Sequence, residues 1–421
     1  MWALLWLLHA PPAFSLENEW LAVWRRIEDR NGRPEAEGDL LQWAGDPQYL
    51  EYPLDQTQGA FALSDERAWQ AATRGARLYV QSISEFTFTN VVELKDAWPV
   101  GAGVSVGLRY HQLADRQTQS QLPRLVVAGR DVGGSPLLFE LHLFPRWDKE
   151  DLDLEAVVGL RAADLGEVRL RALALDPFTN ASYALAVGRG AELEAIDHQD
   201  DAPLAFALEL ASARWAGVRG ELYGGVLLPA TTTRTVPNMP AATRTHTREG
   251  LLAGGLVEWS GPVTLGATLL HVTARDTERG EGARTAEERL TEARAYALAD
   301  LPGAVRVESQ LRVTSRDFDE TAEQPRALGE LRRFWSLRVL WPTEGRVGAD
   351  LGLVRADRDP RGQVPPWVDT DAAHRLITRV AVRLSSSVSC ALGVGWDLDG
   401  GDGRYDGGGL TLVATDGGES P

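Results

Sequence analysis

The feature that most constrains this chain is a two-residue alternation of apolar and polar side chains, beginning near residue 76 and persisting almost to the end. In "VRVESQLRVTSR", Val305, Val307, Leu311 and Val313 share one parity with Ser309, while Arg306, Glu308, Gln310, Arg312, Thr314 and Arg316 hold the other. Successive side chains of a strand point to opposite faces, so such a segment is a strand with one apolar and one polar side. "DLDLEAVVGL" sets Leu152, Leu154, Ala156, Val158 and Leu160 against Asp151, Asp153 and Glu155. "GAGVSVGLRY" sets Ala102, Val104, Val106, Leu108 and Tyr110 against Ser105, Gly107 and Arg109. "RLITRVAVRL" does the same with Leu376, Val380, Val382 and Leu384 opposite Arg375, Arg379 and Arg383.

Similar segments fall near 136–144, 166–175, 204–213, 218–228, 249–259, 263–274, 289–299, 329–341, 346–356, 389–398 and 408–415, with weaker ones near 122–129 and 181–197. The pattern predicts an all-β chain of roughly 16 antiparallel strands, within about 14 to 18. Most run to roughly 10–13 residues, longer than the usual 5–6 or so of a soluble sheet and matched to a strand crossing a bilayer at a tilt. Connections alternate too. Short turns stand at "DAWPVG", "SARWAG", "EWSGPV", "ADLPGA", "LWPTEG" and "SSSVS", and longer polar loops at 229–247, 275–288, 316–328, 357–372 and 398–408. Short turns on one rim and long loops on the other make a transmembrane up-and-down barrel. Trp98, Trp215, Trp259 and Trp341 each sit in or beside a short turn. If those turns share a rim, the four indoles form a belt at one water–lipid interface.

Composition narrows the classes. The net charge of -17 argues against general nucleic-acid binding, which needs an excess of basic surface. Cys390 is the only cysteine, which excludes an internal disulfide and a cysteine-built zinc site. All but two of the 43 basic residues are arginine, the exceptions being Lys95 and Lys149. At the N-terminus, an apolar stretch from Trp2 to Leu8, the pair Pro11–Pro12, and Ala13 and Ser15 in a small-x-small pattern read as a signal peptide over residues 1–15. Residues 16–70 are expected to be an irregular periplasmic segment containing one short amphipathic helix, residues 71–416 the barrel, and residues 417–421 a tail.

With these strands, turns and tryptophans, residues 71–416 resemble a Gram-negative outer-membrane β-barrel protein, porin-like in size. The resemblance rests on a pattern rather than a motif and names a class rather than a family. It implies insertion into the outer-membrane bilayer by the barrel-assembly machinery, and service as a pore, exporter, adhesin or, less often, an enzyme.

Three constellations bear on chemistry. Arg306, Arg312, Arg316, Arg332, Arg338, Arg346, Arg375, Arg379 and Arg383 hold the polar parity of the C-terminal strands. In a barrel that parity faces the lumen, where fixed positive charge favours small anionic solutes; equally, pairing with Glu308 and Asp350 would fill the bore with ion pairs. His111, His142, His198, His246, His271 and His374 show no metal-ligand spacing, and no nucleophile motif accompanies them; neither a cofactor nor catalysis is expected. Finally, "WDLDGGDGRYDGGG" partly matches a calcium loop. Asp397 and Asp399 hold the first and third positions, Asp402 comes one place late, and Gly408 stands where the closing glutamate belongs. Asp and Gly are also what a long hairpin needs. The expected function is a passive pore or exporter for polar solutes, with anions a candidate class. A non-conducting barrel whose loops bind a partner and a soluble secreted β-rich protein stand as alternatives.

Overall fold

Every outward-facing apolar residue needs lipid and every strand edge needs a partner, and a closed barrel meets both demands. The computed structural model describes residues 64–65, 69, 72–83, 87–114, 119–146, 151–162, 165–174, 182–185, 195–199, 204–235, 244–280, 283–321, 326–342, 345–362, 373–399 and 405–415. The expected signal peptide, most of residues 16–70 and the tail at 417–421 lie outside them.

The strands are β1 (Gly75–Ile83), β2 (Thr87–Gly101), β3 (Val104–Ala114), β4 (Gln119–Arg130), β5 (Leu137–Arg146), β6 (Asp151–Ala162), β7 (Gly166–Ala174), β8 (Ser182–Leu185), β9 (Ala195–Gln199), β10 (Leu204–Ser212), β11 (Val218–Thr235), β12 (Arg244–Ser260), β13 (Val263–Arg279), β14 (Arg284–Leu301), β15 (Val305–Thr321), β16 (Arg326–Trp341), β17 (Val347–Gly362), β18 (Ala373–Arg383), β19 (Val388–Asp397) and β20 (Tyr405–Thr415). Each wall strand pairs antiparallel with the next. β7 pairs directly with β10, and β20 returns to β1 with Thr415 opposite Gly75. The wall therefore has 18 strands. The remaining two, β8 and β9, form a hairpin whose β9 lies against the end of β11, Gln199 opposite Thr232.

Two differences from the sequence reading have one cause each. β1 and β2 go uncounted in the alternation because they are short of apolar contrast: β2 ends in "DAWPVG", read as a turn, yet strand pairing continues to Gly101. Adding this pair takes the expected 16 or so to 18. Second, much of what reads as loop at 229–247, 275–288, 316–328 and 357–372 is strand, so that β11 to β17 reach 16–18 residues. Their ends carry polar side chains on both faces, and hydrophobic alternation cannot register them.

The faces follow the parity of the sequence. On β6, Val158 and Leu160 are exposed while Asp153, Glu155 and Val157 are buried. On β13, Leu265 and Leu269 point out while Leu270 and Val272 point in. The outer belt of leucine, valine and alanine is the surface that lipid covers. Short turns close one rim and depend on left-handed backbone. Gly166 (φ +125°) leads out of the β6–β7 turn, and a Cβ there would lie 1.9 Å from the carbonyl oxygen of Ala211. Gly103 (φ +82°) in the β2–β3 turn has the same constraint against Arg130 O at 2.3 Å. No helix among the described residues is long and apolar enough to cross a membrane; the crossing elements are strands.

Candidate functional site: the barrel interior

The inward parity builds two kinds of surface, charged clusters and apolar clusters, that meet side by side along the bore: Glu155 stands opposite Leu173, Arg171 opposite Ala207 and Glu292 opposite Leu270. Arg171 on β7 is 1% exposed and sits between Glu155 of β6 and Glu209 of β10, the second contact at 2.6 Å. Antiparallel pairing brings them together, since Arg171 stands opposite Ala207 on one side and Val157 on the other, one step from each carboxylate on the same face. On β14, Glu292 receives Arg294 from its own strand and Arg312 from β15, with Arg312 Nε donating at 2.7 Å and Thr314 Oγ1 at 3.3 Å. Glu258 of β12 accepts from Tyr296 Oη at 2.5 Å and from Arg214 at 2.9 Å. At β16–β18, Arg338 and Arg379 both approach Asp350, Arg338 at 3.7 Å. Water reaches little of Glu155, Arg171, Glu258, Glu292, Arg338, Asp350 and Arg379, so each charge depends on its partners for compensation.

The apolar clusters lie beside these charges. Phe144, Leu173, Ala205, Ala207, Tyr223, Leu227, Leu252, Leu270 and Val272 form one buried cluster across β5 to β13, and Phe334, Val354 and Ala356 a second across β16 and β17. His142, fully buried, stacks on Phe144 with ring centroids 6.2 Å apart, and the Arg124 guanidinium lies 4.5 Å over the same ring. A wholly polar bore is the sequence expectation, and these residues are what it misses. The signal was present: "RALALD" is apolar on both parities, and in "FELHLFP" Phe144 interrupts the polar parity of Glu140 and His142, a break in alternation that marks apolar inner wall.

The arginine ladder divides. Arg306 pairs with Asp300 at 2.6 Å, Arg312 with Glu292, Arg338 with Asp350, and Arg379 with Asp350 and Asp65. Glu308 accepts from the backbone N–H of Ser64 at 3.1 Å. Arg332 and Arg375 lie on the inward parity, half-buried, and Arg383 ends β18 exposed at the rim. Arg346 does not stand on a strand: it is exposed in the turn before β17, which starts at Val347. The Arg316 side chain lies outside the described residues. The interior is thus a set of ion pairs rather than a row of bare cations.

The four tryptophans share the short-turn rim and point outward, with Trp98 47%, Trp215 83%, Trp259 39% and Trp341 58% exposed. At the opposite rim, Trp396 and Tyr405 meet edge to face at 6.3 Å. There Asp399 closes the β18–β19 end. His374 donates to it from its backbone N–H (2.6 Å), its ring Nδ1 lies 2.7 Å from Oδ1, and the Asp399 N–H donates to Asp397 Oδ1 at 2.9 Å. Slight burial pushes the Asp399 pKa up, but the two His374 contacts outweigh it and hold the carboxyl below its ordinary value. Both oxygens are engaged by His374 at the start of β18; Asp402 lies outside the described residues, and among those described no group of three or more His, Cys, Asp or Glu is placed to hold a metal.

No family model matches the chain, and no curated protein matches it. Among solved structures it is similar to an anion-selective porin from Comamonas acidovorans (14% identity, TM-score 0.36, covering 81% of this chain and 98% of that one). It is also similar to OmpTdeltaL8, a loop-deletion mutant of an outer membrane protein of Vibrio cholerae (10%, 0.36, 81% and 97%), and to OccK10 of Pseudomonas aeruginosa (13%, 0.36, 82% and 97%). At these scores the likeness says nothing about solute or chemistry. The wall itself is decisive for the fold: closed, antiparallel and apolar on its outer face, it is a β-barrel of the kind that crosses a membrane with strands.

Proposed function

We propose that the barrel is a passive pore or export conduit for polar solutes, without catalytic chemistry, and that small anions are its favoured class. The observation that carries the anion preference is the convergence of two arginines, Arg294 and Arg312, on the carboxylate of Glu292. Guanidinium groups facing the bore lower the barrier to anion entry. The rim tryptophans supply the interfacial anchors, and assembly by the barrel-assembly machinery follows from the class.

Reconstitution into a planar bilayer tests this directly. Wild type should pass ions with a reversal potential favouring anions, and Arg312→Glu should move that potential toward cations. Selectivity unchanged in Arg312→Glu would remove the anion assignment. A barrel that passes no current would support the second reading, a closed barrel whose tall loop-side wall binds a partner. Full burial of His142, Asp153, Glu155 and Arg171 on one inner wall favours that reading.

A further inference from the structure

The outward face of the tall wall carries a row of alternating charge. Arg275 on β13 lies 3.5 Å from Glu249 on β12 and 3.4 Å from Glu287 on β14. Arg289 on β14 continues the row, 3.3 Å from Glu287 and paired with Asp319 on β15. Register places all five on the lipid-facing parity: Glu249 stands opposite Arg275, Arg275 opposite Glu287 and Glu287 opposite Asp319, while exposed Leu251 and Leu269 hold the same parity lower on β12 and β13. The height is set by the strands. Arg275 is twelve residues above Val263 and Arg289 twelve above Leu301, so steps of about 3.3 Å at a tilt of about 40° carry both roughly 30 Å above the short-turn rim. The apolar band is about 25 Å tall. Outward-facing Trp396, eight residues up β19 from Val388, marks its upper edge at roughly 20 Å. The row therefore stands just past the hydrocarbon, at the depth of the lipid headgroups.

We propose that this row docks phosphorylated lipid headgroups together with the divalent cations that neutralise them. Arg275 and Arg289 take phosphate oxygens, and Glu249, Glu287 and Asp319 take cations shared with neighbouring phosphates. Charge decides the partner. Two arginines against three carboxylates repel a purely anionic surface, whereas a lattice of phosphates and cations presents both signs and complements both. The arginines have donors to give: the Arg275 contacts are longer than tight charge-assisted hydrogen bonds, and a guanidinium carries five N–H groups. Among the described residues no group of three or more His, Cys, Asp or Glu could hold a metal, so the phosphates must complete the cation's shell. That is the usual arrangement for a hard cation such as Mg2+, which combines one or two carboxylates with phosphates and water. The inference needs the lipid-facing assignment of the wall and is independent of the pore reading.

Urea unfolding of the full-length protein in vesicles tests this, since urea is uncharged and leaves ion pairing unscreened. Phosphatidylcholine alone is compared with phosphatidylcholine containing lipid A, a diphosphorylated glucosamine lipid, each with Mg2+ or with EDTA. In wild type, lipid A with Mg2+ should raise the unfolding midpoint, EDTA should remove the rise, and Mg2+ in phosphatidylcholine alone should have no effect. Arg275→Gln, Arg289→Gln and Glu287→Gln should each lose at least half of the rise. Their midpoints in phosphatidylcholine alone should stay near wild type, because exposed pairs contribute little to folding. Arg74→Gln, which alters an exposed arginine paired with Asp96 at the short-turn rim, should keep the full rise. A rise of equal size in every variant, one that survives EDTA, or a larger one in Glu287→Gln would overturn the docking row.

Discussion

A charge placed on the outer face of β13 measures whether the wall stands in lipid as the structure has it. Leu269 is 52% exposed on the outward parity, and Leu265, at 46%, shares it nearer the rim. From Val263, the first residue of β13, six steps of about 3.3 Å at a strand tilt of about 40° place Leu269 roughly 15 Å above the rim. Two steps place Leu265 only about 5 Å above it. The apolar band of such a barrel is about 25 Å tall, so Leu269 lies near its midplane and Leu265 at its edge. Arginine on the lipid face costs about 2–4 kcal/mol at the midplane and about 0–1 kcal/mol near the interface. Leu269→Arg should therefore lower the folded-to-unfolded ratio roughly 100-fold, and Leu265→Arg by less than about 10-fold. Gln310→Arg, half-buried on the bore face of β15, is the control and should cost less than half as much as Leu269→Arg. Guanidinium unfolding in phospholipid vesicles, read by the migration of unheated samples on a gel, gives all three values. A Leu269→Arg cost no greater than that of Leu265→Arg or Gln310→Arg would refute the assignment of faces and depth.

Glu155→Gln removes one of the two carboxylates around Arg171, which is 1% exposed; loss of a buried partner should cost about 3 kcal/mol in the same unfolding assay, and a cost below about 1 kcal/mol would show that the pair is not buried as described. At the loop rim, Asp399 has a depressed pKa, so its contribution is present above the ordinary carboxylate value of about 4 and is lost as pH falls through the lower folded value. Hydrogen exchange at the His374 amide should accordingly show protection that disappears in acid for wild type and a weaker, pH-independent protection for Asp399→Asn. For the partial calcium motif, titration with calcium should leave the hairpin's exchange rates unchanged in wild type, Asp397→Asn and Asp399→Asn alike, because the Asp399 oxygens are already engaged by His374; a calcium-dependent slowing confined to wild type would restore the metal reading.

The barrel was legible in the sequence because lipid enforces alternation residue by residue. Where one face of a strand meets hydrocarbon and the other meets ions, as at Val305 to Val313, the sequence has no freedom to hide it. The approximate strand count follows from the same pressure, and so does the placement of Trp98, Trp215, Trp259 and Trp341 beside turns. What the pattern could not reveal lies where that pressure stops. β1 and β2 mix charge and apolar residues near their ends, and the upper halves of β12 to β17 are polar on both faces. The inner apolar clusters around Phe144 and Phe334 were hidden for the opposite reason, because a bore-facing leucine looks like any other leucine unless its parity is tracked across the strand. The partners of the arginine ladder depend on register between strands, which no single segment encodes: Arg312 meets Glu292 only because β14 and β15 align Arg294 with Arg312.

The tall side of the wall raises a question of energetics that the ion pairs on its outer face answer only in part. Past the apolar band, β12 to β17 carry Glu249–Arg275 at 3.5 Å, Arg275–Glu287 at 3.4 Å, Arg333–Asp357 at 3.3 Å and Arg355–Asp357 at 3.5 Å, with the arginines 47–53% exposed. Exposed pairs of this kind contribute about 0–1 kcal/mol each, too little to hold up six or seven extra residues on each strand. The backbone ladder does the holding, since β13 to β16 remain paired without interruption to their loop ends. The charges have another effect: they make the outer face soluble above the bilayer, so the strands can continue into water without an apolar edge. The vulnerable point is β11, which outruns the shorter β10 beyond Leu204, and it is there that β9 pairs with Thr232 to Thr235. The β8–β9 hairpin is thus accounted for as cover for an edge that the step in wall height would otherwise leave open.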